Sequence, residues 1–215
     1  MENSQQQLEH LAEMRSLMER STRFLSLSGL SGVWAGGCAL VGAFYVRNYL
    51  DALYLGQKDA SDLFYNYESD VSAGLGYEAN LVLTAVAVLL AALAGGWFFT
   101  ARKAKSRGER FWEASSRRLL WALMLPLATG GVFCLALLYW NLVAFLAPAT
   151  LVFYGLALVN GSKYTLGDVG SLGLLQIALG LSGMFFPGRG LELWAIGFGV
   201  LHILYGSWMY YKYDR

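Results

Sequence analysis

Apolar positions along the chain gather into six long runs that charge scarcely interrupts: approximately Phe24 to Val46, Leu81 to Thr100, Leu119 to Trp140, Leu142 to Val159, Leu166 to Phe186 and Leu191 to Tyr211. About 20 apolar residues at a 1.5 Å rise cross a hydrocarbon core of roughly 30 Å, so each run predicts a membrane-spanning helix. Only Trp140 and Asn141 separate the third and fourth runs. This predicts a tight hairpin there, or else one half that is tilted or re-entrant. The turn Pro187-Gly188-Arg189-Gly190 predicts a second hairpin between the fifth and sixth runs.

Three polar segments complete the organisation. Residues 1–23 carry Leu8, Leu11, Met14 and Met18 at helical spacing among Gln, Glu and Arg. They predict a juxtamembrane amphipathic helix that extends the first span along the surface, or that docks a cytoplasmic protein or a second copy of the chain. Residues 47–78 mix acidic residues with tyrosines and read as a solvated outer loop with an interfacial aromatic belt. Asp59 and Asp62 fall short of the oxygens that Ca²⁺ requires. Residues 101–118 form a basic connection, for which anionic lipid headgroups are the expected partners. The domain plan is therefore an N-terminal segment 1–23, a six-span domain 24–211 and a tail 212–215.

The placement of Lys and Arg orients the plan, because cytoplasmic loops retain positive charge. Arg15, Arg20 and Arg23 precede the first run, and Arg102, Lys103, Lys105, Arg107, Arg110, Arg117 and Arg118 crowd the connection between the second and third. With six crossings in all, Lys163, Lys212 and Arg215 fall on the same side, leaving Arg47, Lys58 and Arg189 outside. Both termini are expected in the cytoplasm. The weak lipoprotein-like stretch Ala35-Gly36-Gly37-Cys38 has no Leu three before the cysteine and lies inside a run that continues to Val46, so an uncleaved span fits better.

Composition agrees with a membrane protein: 56% hydrophobic, 15% aromatic and 14% charged residues is too apolar for a soluble domain of this size. A formal charge of +1 gives no basic face for nucleic acid.

Small residues mark the faces on which helices in lipid approach one another. In the first run Ser28, Gly32, Ala35, Ala39 and Gly42 recur at steps of four and three, and Gly32 with Gly36 forms a GxxxG pair. This face predicts a helix contact. In the fifth run Gly173, Gly180 and Gly183 share a face with Gln176, and in the sixth Glu192, Ala195, Gly199, His202 and Gly206 share another. Gln176 and His202 each lie roughly 15 Å below the surface at their shared turn, so they are expected to meet at the polar centre of the bundle. With Glu192 they form the candidate intramembrane polar site. Glue between helices and a proton or solute path are the two roles open to it.

Catalytic signatures are absent. With His10 and His202 as the two histidines, no multi-His metal or haem site is expected, and no HExxH, GxSxG or GxxxxGK[ST] occurs. The glycines of Gly167-Asp168-Val169-Gly170-Ser171-Leu172-Gly173 open an apolar helix with no preceding strand, so they read as packing positions and not as a phosphate loop. Cys38 and Cys134 lie in different runs and read as packing residues. Neither a cofactor nor a metal is expected.

The run MERSTRFLSLSGLSGVWAGGCALVGAFYV (Met18 to Val46) resembles the start of an uncharacterised family of small bacterial polytopic membrane proteins, and GFGVLHILYGSWMYYKYDR at the end is similar too. The resemblance covers the two ends of the chain. It implies a six-span, multi-pass protein of the bacterial inner membrane and no activity or site residues. The expectation is an all-α polytopic membrane helix bundle with a non-catalytic interaction or regulatory role. The alternative is a small-solute or proton-linked transporter built around Gln176 and His202.

Overall fold

The computed structural model describes residues 28–53, 74–106 and 114–214. The expected amphipathic helix at 1–23, most of the outer loop 47–78, and Arg107 and Arg110 of the basic connection lie outside the described residues. The described residues are almost entirely helical, with no strand among them. It contains six helices long and apolar enough to cross a membrane.

In chain order these are α1 (Gly29–Leu53), α2 (Gly74–Ser106), α3 (Ala114–Tyr139), α4 (Leu146–Gly161, entered through a 3₁₀ turn at Val143–Phe145), α5 (Asp168–Phe185) and α6, a continuous rod over Gly190–Asp214. Several ends differ from expectation. Helix α2 continues through Ser106, so Arg102, Lys103 and Lys105 are helical residues and not part of a loop. Helix α6 continues through Asp214, so residues 212–214 of the expected tail belong to its last turn.

The hairpin between α3 and α4 is tight, and both arms run full length over Ser115–Tyr139 and Val143–Tyr164. Asn141 adopts φ 60°, a left-handed conformation that asparagine tolerates. The Leu142 N–H returns to the Leu137 carbonyl at 2.8 Å and the Asn141 N–H to the Leu138 carbonyl at 3.0 Å. These two bonds close the end of α3 as a Schellman motif, and the chain reverses at once.

Neighbouring helices in the chain run antiparallel. Helix α4 packs between α3 and α5, α1 packs between α2 and α6, and α6 joins the halves through contacts with α4 and α5. Two glycine-mediated contacts set the spacing. A Cβ on Gly155 would lie 2.6 Å from the Gly173 carbonyl oxygen, and one on Gly173 would lie 2.8 Å from that of Gly155. Between α1 and α6, a Cβ on Gly36 would lie 2.6 Å from the Gly199 oxygen, and one on Gly206 the same distance from the Val33 nitrogen. Backbone meets backbone at both crossings, which only glycine permits.

The small-residue face expected on α1 divides between two partners. Gly32 and Gly36 face α6, whereas Gly42 receives Val88 of α2. Ala39 is buried, and Ser28 bonds Asp214 at the end of α6. One stripe on a helix spans about 100° of arc, enough for two neighbours to share it. On α2 none of the apolar window is buried, and Leu83, Leu90 and Trp97 point outward. Its hold on α1 includes the Trp34 indole, which lies over Gly95 and donates to the Ala91 carbonyl at 2.9 Å.

Candidate functional site

Gln176 is completely buried, the most enclosed polar side chain among the described residues, and His202 is nearly so. They come from α5 and α6, and Gln176 Nε2 lies 3.4 Å from His202 Nδ1. What organises them is a third group, the carbonyl of Gly197. It accepts from Gln176 Nε2 at 2.8 Å, and His202 Nδ1 lies 3.0 Å from it. A carbonyl can only accept, so in the neutral ring Nδ1 carries the proton and Nε2 is the acceptor. Tyr154 of α4 donates its hydroxyl to that Nε2 at 2.8 Å. The imidazole thereby ties α4 to α6, and the Gly197 carbonyl ties α5 to the same point.

Local backbone geometry exposes the Gly197 carbonyl to two side chains. Residues Ala195–Leu201 of α6 are π-helical, and a π turn takes in one residue more than an α turn. The single face expected for Glu192, Ala195, Gly199, His202 and Gly206 is divided between neighbours. Gly199 and Gly206 meet α1, and His202 turns toward α4 and α5. Glu192 is exposed near the far end of α6 and does not join the polar centre. Gly197 is itself required, since a Cβ there would lie 2.5 Å from Gln176 Oε1. That oxygen has no hydrogen-bond donor. It faces the Gly197 Cα, a weak C–H contact at most. Phe198 stacks on the His202 ring at 5.8 Å between centroids and meets the Tyr154 ring at 4.9 Å, walling the centre with aromatic surface.

A second polar cluster sits at the end of the bundle where α2 and α6 finish and α1 and α5 begin. Asp214 accepts the Ser28 hydroxyl and the Gly29 N–H, each at 3.0 Å, and forms an ion pair with Lys103. Both members of that pair are almost entirely buried. The carboxylate caps α1 from another helix and meets its positive dipole end. Beside it, Asp168 in the first turn of α5 accepts from Lys212 and from the Tyr213 hydroxyl, each at 2.9 Å. The last turn of α6 is thus fastened to α1, α2 and α5.

Tyr154, the Gly197 carbonyl and both carboxylate clusters were not legible as site groups in the sequence. A tyrosine in the middle of an apolar run, away from the interfacial belt, was the one available signal for the first. Among the described residues no three His, Cys, Asp or Glu side chains converge as a metal site. Comparison with known proteins yields no match to a family model, a curated protein or a solved structure.

Proposed function

We propose that the chain is an integral protein of a bacterial inner membrane with both termini cytoplasmic, acting as a non-catalytic interaction or regulatory component. The six apolar helices support insertion, and the basic residues at one end of the bundle support the orientation. The bacterial assignment rests on the likeness of the two chain ends.

The observation that carries the non-transporting role is the closure of the polar centre. Gln176 Nε2, both His202 nitrogens and the Tyr154 hydroxyl are engaged with one another or with the Gly197 carbonyl, and Gln176 is wholly enclosed. Groups consumed in tying α4, α5 and α6 together act as interhelical glue. A regulatory role would then be exercised at the surfaces, through residues 1–23 or the basic end.

Transport is the second reading, and one observation favours it. Gln176 Oε1 is buried without a donor beside a π-helical segment, an arrangement that offers an acceptor to a passing proton carrier or water. Proteoliposomes with a trapped pH dye separate the two. The glue role predicts no protein-dependent proton flux and the same behaviour for His202→Leu. A flux that His202→Leu abolishes, with the variant still inserted, would establish transport.

A further inference from the structure

At the basic end, α3 and the end of α4 part around a cavity of about 520 Å³ lined by Arg117, Arg118, Trp121, Ala122, Asn160 and Tyr164. Neither guanidinium has a hydrogen-bond or ion-pair partner among the described residues, and the same holds for the Trp121 indole N–H and the Tyr164 hydroxyl. The acidic groups described at this end are already engaged: Asp168 by Lys212 and Tyr213, Asp214 by Lys103, Ser28 and Gly29. Two cations and two neutral donors without a partner among the described residues therefore line one recess, a donor set that suits a phosphate oxyanion.

The cavity wall is fixed in place. Pro126 lacks the N–H that would bond the Ala122 carbonyl one turn earlier, and Asn160 Nδ2 donates to that carbonyl at 2.8 Å. This bond holds α4 against α3 where both line the recess. Arg117 and Arg118 immediately precede the apolar run that opens at Leu119, and Trp121 stands one turn further along, largely exposed. Charge at the mouth with an aromatic face just inside it suits a molecule that is anionic at one end and apolar at the other.

We propose that this recess is a binding site for a phosphate-bearing anion, and that its occupant is an anionic phospholipid whose headgroup sits on Arg117 and Arg118 with its chain along Trp121. The site rests on membrane insertion but not on the choice between glue and transport. It goes beyond diffuse attraction to a basic loop, because it involves Asn160 and Tyr164 from a different helix.

Native mass spectrometry of the delipidated protein in detergent tests it, with phosphatidylglycerol, phosphatidylcholine and inorganic phosphate added in separate arms. The expected result is retention of phosphatidylglycerol at least about tenfold tighter than phosphatidylcholine. The double variant R117Q/R118Q loses that preference, Tyr164→Phe weakens it, and millimolar phosphate does not compete. Both arginines are exposed, so the double variant is expected to keep the wild-type helical circular dichroism. Equal retention of the two lipids, or a preference that survives R117Q/R118Q, overturns the site. Arginine-dependent binding of inorganic phosphate without a phosphatidylglycerol preference overturns the lipid assignment. Failure of the chain to float with lipid vesicles would instead sink the membrane reading itself.

Discussion

The side-chain amide of Asn160 on α4 donates to the main-chain carbonyl of Ala122 on α3, and Pro126 is the reason that carbonyl needs a donor. A proline inside a helix leaves the carbonyl four residues earlier unsatisfied, a cost that apolar surroundings magnify. Asn160→Leu is expected to destabilise the chain by about 1–3 kcal/mol, the penalty of an orphaned buried carbonyl. In a Pro126→Ala background, where the helix supplies its own N–H, most of that loss should vanish. A double-mutant cycle read from unfolding in mixed micelles measures the coupling. Additive losses would show that the two residues act independently.

Asp214 holds the start of α1 and the end of α2 at once. Its replacement by Ala removes the cap on Gly29, typically about 1 kcal/mol, and the carboxylate of a buried ion pair, typically about 3–5 kcal/mol. Asp214→Ala is expected to lower the thermal midpoint markedly, and Asp214→Asn, which keeps an acceptor for the cap, to lower it less. A midpoint within a degree of wild type for Asp214→Ala would mean that the cluster carries no stability.

Glycines on the same helices should differ sharply in tolerance. A Cβ on Gly206 meets the backbone of Gly29 and Val33, whereas one on Gly37 meets nothing within 4 Å. Gly206→Ala is expected to cost about 1–3 kcal/mol through forced separation of α1 and α6. Gly37→Ala should be neutral, or stabilising by up to about 1 kcal/mol from helix propensity. Parallel unfolding curves of the two variants check the contrast.

Tyr154→Phe removes one bond from the polar centre and leaves its shape intact. Interhelical hydrogen bonds inside membranes average about 0.6 kcal/mol, so a small loss of stability is expected. A loss above about 2 kcal/mol would point to a strongly coupled network around His202.

The two ends of the bundle should lie on opposite sides of the membrane. In a chain whose Cys38 and Cys134 are replaced by Ala, Lys163→Cys is expected to react with an impermeant thiol reagent only after the cells are opened. Arg189→Cys should react in intact cells. Both positions are exposed. Labelling of both from one side would contradict the six-crossing topology.

Six helices, their order and the Trp140-Asn141 reversal followed from the sequence, because apolar run length and punctuation by charge, Gly and Pro are local properties. That Gln176 and His202 share a depth was also legible, since helical rise and a short turn between their helices suffice to compute it. Which groups they would bond was not. The Gly197 carbonyl became available within a π-helical segment, and Tyr154 arrived from α4, whose position depends on the Gly155–Gly173 crossing. The closing cluster of Asp214, Lys103 and Ser28 joins residues more than a hundred positions apart in the chain. Periodicity reports which face of a helix is small or polar, but only packing decides which neighbour occupies that face, because several helices compete for each one and their backbone contacts settle the choice.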